Sequence, residues 1–191
     1  TEASCLNNLS VFIEQNQTTN SFKTKQSWTI LQGIEQRIKK KIEEAGIPLK
    51  DWDVSINRGI LTGYNEAFII SEEKRDELIT QDPKSAEIIR PILRGRDIKR
   101  YGYQFANLYL ICTFPSRNYD IENFPAIKKY LLTSGYERLE QSGKTYIVNG
   151  EKITARKKTN NKWFETQDSI SYWDDFYKQK IIYAETMRVH R

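Results

Sequence analysis

Two runs of cations hold most of the chemistry this sequence can do. The first is Arg90-Pro91-Ile92-Leu93-Arg94-Gly95-Arg96-Asp97-Ile98-Lys99-Arg100, with five basic residues and one acid in eleven positions. An Arg fork grips a phosphate or the O6/N7 edge of guanine. Asp97 can accept from the N4 amino group of cytosine, and a plain salt bridge from Asp97 to Arg94 or Lys99 fits the spacing equally well. Gly95 lets the backbone turn closely between its two arginines. The second run is Arg156-Lys157-Lys158-Thr159-Asn160-Asn161-Lys162-Trp163-Phe164. Cations, small polar groups and aromatics in this order suit phosphate contacts together with base-edge or sugar contacts. The expected arrangement has the cations outside and at least one ring in the core. A third candidate is the loop at residues 58–65, RGILTGYN, which offers Arg58, Thr62 and tight-turn N–H groups to a phosphate. A plain hairpin loop is the competing reading. It lacks GxxxxGK[ST] and is not a P-loop.

Catalytic constellations of comparable density are missing from the sequence. The one histidine, His190, is next to the C-terminus, and Cys5 and Cys112 have no CxxC spacing. That argues against His-based catalysis, a zinc site or a disulfide framework. Asp82-Pro83 and Glu72-Glu73-Lys74 supply the letters of a PD…ExK nuclease in the wrong order, and Glu151-Lys152 follows a tight turn. The residues whose types and spacing suit contact with a nucleic acid are Arg94, Arg96, Asp97, Lys99 and Arg100, then Arg58, Thr62, Arg156, Lys157, Lys158 and Lys162, with solvated loops and a plain hairpin left open beside that reading. No catalytic or metal-binding residue is expected.

The chain has 191 residues, a net charge of +5 and a sequence pI near 9.1. The charge is uneven. Residues 1–95 carry 13 basic and 14 acidic side chains, and residues 96–191 carry 17 and 11. A basic half suits a polyanionic partner. A mean hydropathy of -0.69 is polar, while 12% aromatic content is too high for a disordered chain. No apolar run approaches the roughly 18 residues of a membrane span. With no signal-peptide pattern and little cysteine, a cytoplasmic chain is expected, cut from inside a longer protein.

These candidates must be positioned by a mixture of elements. Leu9, Val11, Phe12 and Ile13 suggest a strand. A helix capped by Ser27 follows, with Ile30, Leu31, Ile34, Ile38 and Ile42 as one stripe, and it ends at Gly46 and Pro48. Trp52, Val54 and Ile56 alternate with polar residues, which predicts a strand hairpin-paired to residues 67–70. Residues 71–80 read as a short charged helix. Asp82-Pro83 opens another that runs through Ile88 and Ile89 to Pro91. Residues 108–114 read as a central strand. A helix follows from Asn123 and Pro125, carrying Ile127, Tyr130, Leu131 and Leu139. Asn149-Gly150 predicts a type I′ hairpin over residues 146–153, and residues 180–184 a last strand. The fold class expected is α+β, a mixed, mostly antiparallel sheet with flanking helices and basic loops. Residues 1–45 are expected to form a leading strand and helical segment, and residues 46–191 one domain.

The segment from Val54 to Phe68, VSINRGILTGYNEAF, and the segment from Asp82 to Tyr101, DPKSAEIIRPILRGRDIKRY, together resemble the TaqI-like C-terminal specificity domain of type II and combined type IIG restriction–modification enzymes. Arg156 to Glu165 and Lys180 to Tyr183 keep that family's order of segments. The likeness covers about residues 45–184. Phe164 stands where the family pattern has Tyr, and Thr166 where it has an apolar residue. The resemblance implies a target-recognition domain for double-stranded DNA. Its upstream partners in the same polypeptide would be an adenine-N6 methyltransferase domain using S-adenosylmethionine and, in some parents, a nuclease. Neither an NPPY-type segment nor a Gly-rich cofactor motif occurs in this chain. No cofactor is therefore expected here, and the chain itself would not be an enzyme. It would present the target adenine, flipped from the stack, to the catalytic domain of a bacterial or archaeal parent. A protein-docking module of the same enzyme, or a small metal-dependent nuclease, are the alternatives.

Overall fold

The structure is a computed structural model that describes residues 9–17 and 30–184. The chain divides into two compact units, Thr1–Ile56 and Asn57–Arg191. The division thus falls beyond residue 45.

The first unit contributes two helices. Helix α1 spans Leu9–Asn16, where a strand is expected. Four apolar residues in a short run fit either period, and no strand is present among this unit's described residues to pair with them. Helix α2 spans Gly33–Ala45. The Gln32 N–H donates to the Glu35 carboxylate at 2.9 Å, closing the first turn. At the other end the Gly46 N–H donates to the Ile42 carbonyl. The predicted cap Ser27, like Cys5 and His190, lies outside the described residues. Ile34, Ile38 and Ile42 form the expected stripe but are exposed. Lys39 pairs with Glu43 and Lys40 with Glu44, so these lysines form a solvated face. Residues 52–56 form no strand, and Trp52, Val54 and Ile56 are exposed. Alternation needs a partner strand to become a sheet, and here none forms.

The second unit is built on a three-stranded antiparallel sheet. After one helical turn, α3 (Asn65–Phe68), the chain forms β1 (Ile69–Ser71) and helix α4 (Glu72–Gln81). Ser71 caps α4 by accepting from the Lys74 N–H. A short 3₁₀ turn, Pro83–Glu87, stands where a longer helix is expected, and β2 (Ile89–Pro91) follows it. Strand β5 (Leu108–Ile111) lies between β1 and β2. Ile69 faces Leu110 on one side, and Arg90 faces Leu110 on the other. The continuous apolar run of β5 fits a strand covered on both faces, with Leu110 and Ile111 both buried. Pro91 is tolerated because β2 is an edge strand.

Helices α5 (Pro125–Leu132) and α6 (Tyr136–Leu139) follow, with Leu139 on its own short helix instead of on α5. The core joins Phe68, Leu78, Leu110, Phe114, Ile127 and Leu131, each at most 2% exposed. Such side chains contribute about 1.5–3 kcal/mol apiece by leaving water. The second hairpin, β6 (Thr145–Val148) with β7 (Glu151–Thr154), turns at Asn149 and Gly150 with φ of 53° and 83°, as a type I′ turn demands. Every strand pairing among the described residues is antiparallel, and the whole is α+β. The strands form three small sheets, and residues 180–184 add none.

Candidate nucleic-acid interface

Strands β2 and β5 are neighbours in the sheet, yet the chain between them makes an excursion. It leaves at Ile92, whose N–H donates to the Leu108 carbonyl at 3.0 Å. One 3₁₀ turn, Gly95–Asp97, leads into a hairpin of β3 (Ile98–Lys99) and β4 (Gly102–Tyr103). Lys99 pairs with Gly102 across the two-residue turn Arg100-Tyr101.

Asp97 fixes this excursion from inside. Its buried carboxylate accepts from the Arg94 N–H at 2.9 Å, from Nε at 3.0 Å and from Nη2 at 2.9 Å. Its carbonyl accepts from the Gln104 N–H. The salt bridge permitted by the spacing is therefore formed, with Arg94. The Asp97 carboxylate is engaged by Arg94, and the Nε–Nη2 edge of the Arg94 guanidinium is occupied. These two residues position the hairpin. The Arg94 hydrogen bonds hold the Asp97 carboxyl at about 2, below its ordinary 3.8. A lowered folded value means that the stabilisation is complete above pH 3.8 and is lost as pH falls through about 2. Amide NMR of Gly95 and Ile98 during an acid titration should show the hairpin base intact at pH 5 and loosening only toward pH 2.

Arg96, Lys99 and Arg100 are exposed on the hairpin. Lys99 Nζ donates to the Arg96 carbonyl at 3.0 Å, and the Arg100 guanidinium lies 5.1 Å from the centre of the Tyr101 ring. Tyr101 is 90% exposed and Tyr103 68%. Neither ring is among the candidates that the charge pattern singles out, although Tyr-Gly-Tyr directly follows the basic run.

The second basic run has a different organisation. Arg156 is buried, 4% exposed, so it departs from the expectation that the cations of this run lie outside. Its Nε donates to the Leu139 carbonyl at 2.8 Å. Its Nη1 donates to the Thr62 carbonyl at 2.9 Å and the Glu165 carbonyl at 2.7 Å, and its Nη2 to the Trp163 carbonyl at 2.6 Å. The guanidinium lies 5.1 Å from the centre of the Phe68 ring. Burial pulls Arg156 down to about 10, partly offset by the Glu165 charge, so it stays cationic at neutral pH. The signal for this role was that Arg156 is the one Arg of the run, because the planar fork suits converging carbonyls better than an ammonium does.

Thr62 is buried as well. Its hydroxyl accepts from the Tyr64 N–H at 3.1 Å and donates to Asn65 Oδ1 at 2.7 Å, which starts α3. Gly63 between them has φ +77°, and a Cβ there would lie 2.9 Å from Gln167 Oε1 and 3.0 Å from Arg156 Cδ. The Thr-Gly-x-Asn spacing thus serves the fold, and the Thr62 hydroxyl is spent within the chain.

Lys157, Lys158 and Lys162 are exposed on a pinned loop. Gln141 Nε2 donates to the Lys162 and Glu165 carbonyls, and Thr159 Oγ1 donates to Gln141 Oε1 at 2.8 Å. Phe164 turns into the core. Arg58 is exposed and pairs with Asp168. The residues around Arg58, Thr62, Arg156 and Lys162 are therefore stitched together. The Arg94–Arg100 group stands on its own hairpin, with no hydrogen bond or ion pair joining the two groups among the described residues.

The nuclease-like letters are dispersed. Asp82 caps the 3₁₀ turn, Lys74 pairs with Glu77, and Glu72 lies 3.5 Å from Arg75. Burial pushes the Cys112 thiol up to about 12, far from a nucleophile's range. Among the described residues no helix is long and apolar enough to cross a membrane. Comparison with protein-family models, curated proteins and solved structures finds no match to this chain.

Proposed function

We propose that this chain reads double-stranded DNA as the target-recognition part of a restriction–modification enzyme, with methyl transfer, and any cleavage, performed by upstream domains. The observation that carries the reading is the β3–β4 hairpin. It presents Arg96, Lys99 and Arg100 to solvent, while Asp97 and Arg94 hold its base rigid. A charged loop that serves only solubility needs no such internal fixing. Lys157, Lys158 and Lys162 add a second set of exposed cations on a loop pinned by Gln141. The resemblance of the two segments around Gly63 and Gly95 to the specificity-domain family points the same way. In this reading the hairpin cations contact base edges or phosphates, and the lysine loop follows the backbone. S-adenosylmethionine belongs to the upstream domain, and no residue of this chain is assigned to it.

Salt titration tests the reading. Fluorescence anisotropy with a labelled duplex of about 20 base pairs should give an affinity that falls steeply with salt, with a log–log slope near -0.9 per phosphate contacted. Absence of salt-sensitive affinity for any duplex at low ionic strength overturns it.

A further inference from the structure

We propose that the outer face of the β6–β7 hairpin enters the major groove of duplex DNA and reads base edges there. This rests on the DNA-binding reading above and adds a base-reading element to it. Residues paired directly across an antiparallel ladder share a face, and the faces alternate along each strand. Thr145 pairs with Thr154 and Ile147 with Lys152, so these four side chains form one face. All four are exposed, Ile147 at 80%. Among the described residues none of their polar ends is bonded within the chain. Tyr146 with Ile153, and Val148 with Glu151, form the opposite face. Glu151, the one acid of the hairpin, is thus absent from the outer face. The inner face is fastened to the body, because the Tyr146 hydroxyl donates to the Glu140 carboxylate just past α6. From α6 itself, Arg138 Nη1 donates to the Thr154 carbonyl at 2.9 Å.

A major groove about 12 Å wide admits a two-stranded ribbon, whose strands lie about 4.8 Å apart. The charge around the ribbon is complementary to that groove's borders. The Gly143 N–H donates to the Arg156 carbonyl and the Ala155 N–H to the Lys144 carbonyl, both at 2.9 Å, so the ladder runs on into the lysine loop. A Cβ at Gly143 would lie 3.4 Å from Lys158 Cβ. Lys144, Lys157 and Lys158 are exposed, and they flank the foot of the ribbon, where bordering phosphates would pass. The outer face itself matches what the groove displays. Lys152 can donate to guanine O6 and N7, and Ile147 can cover a thymine methyl group. An apolar side chain contributes nothing to a phosphate contact, so Ile147 at the centre of this face points to base edges.

Selection by the full chain from duplexes with a randomised centre supplies the probe, an enriched duplex made once with thymine and once with uracil. Uracil lacks only the C5-methyl group, which lies in the major groove. The unaltered protein should bind the thymine form about fourfold more tightly. Ile147→Ala should bind both forms alike, and Ile147→Val should keep the preference. Lys152→Ala should lose about tenfold of the preference for guanine over adenine at one position of the enriched sequence. These side chains are on the surface, so none of the changes threatens folding. Enrichment of no sequence, equal binding of the thymine and uracil forms, or Ile147→Ala and Lys152→Ala proteins that discriminate as the unaltered one does, overturns the proposal. Where binding still falls with salt in those cases, the duplex-reading function stands and only this inference is removed. Absence of salt-sensitive binding to any duplex removes both.

Discussion

Replacing Arg156 with Met should cost the second unit about 4 kcal/mol or more of folding stability. The side chain serves four carbonyls drawn from three stretches of chain, those at Thr62, at Leu139, and at Trp163 and Glu165. Met fills much of the volume but donates nothing, so the carbonyls of Thr62, Leu139 and Trp163 lose their donor at once and that of Glu165 keeps only Gln141. An unsatisfied buried acceptor costs about 1–3 kcal/mol, and partial rehydration of the loop recovers some of the total. Domains of this size have only about 5–15 kcal/mol in reserve. Urea denaturation followed by tryptophan fluorescence should show a large drop in midpoint or a chain already unfolded. Arg156→Lys is a sharper probe, because it keeps the charge and loses the fork. It should still destabilise by about 2 kcal/mol. A folded Arg156→Met protein whose only defect is weaker DNA binding would contradict the structural role.

The opposite pattern is expected for the triple variant Arg96→Ala, Lys99→Ala, Arg100→Ala. All three side chains are exposed, and the hairpin base is held by Arg94 and Asp97, which remain. Folding stability should therefore move by less than about 0.5 kcal/mol. Duplex affinity at moderate salt should fall on the order of a hundredfold, at about 1 kcal/mol per lost contact. The salt slope should flatten by about 2.7 if all three meet phosphates. A loss that depends on base sequence, with the slope little changed, would assign at least one arginine to a base edge. Unchanged affinity and slope would remove the hairpin from the interface.

The contrast between these experiments follows what sequence can and cannot express. Apolar spacing made several elements legible. The run at residues 108–114 marks a central strand, which forms over Leu108–Ile111, Asn149-Gly150 marks a turn with two positive φ angles, and Ser71 marks a helix start. Period alone could not decide residues 9–13 or 52–56, because a strand exists only where another strand pairs with it. Side-chain direction was the second obscurity. Arg156, Lys157 and Lys158 are adjacent and alike in charge, yet the first points inward to carbonyls supplied by residues as distant as Thr62. Thr62 was obscured in the same way, since a hydroxyl that caps a turn and one that meets a phosphate share one sequence context. Asp97 was legible as an ion-pair partner, and the structure chose Arg94 among the neighbours permitted by the spacing.

The excursion between β2 and β5 has a consequence for how such a protein can change. Its two ends are clamped where Ile92 meets Leu108, so the sheet registers its neighbours without reference to what lies between them. Closing a longer loop at that clamp is cheap, since doubling its length costs only about 0.6 kcal/mol of chain entropy. Residues 93–107 thus behave as a replaceable cassette. Insertions or wholesale exchanges there can alter what the hairpin presents to solvent while Leu110, Phe114 and Ile127 hold the scaffold unchanged. A lineage could diversify by editing this one stretch, and an engineer could graft onto it.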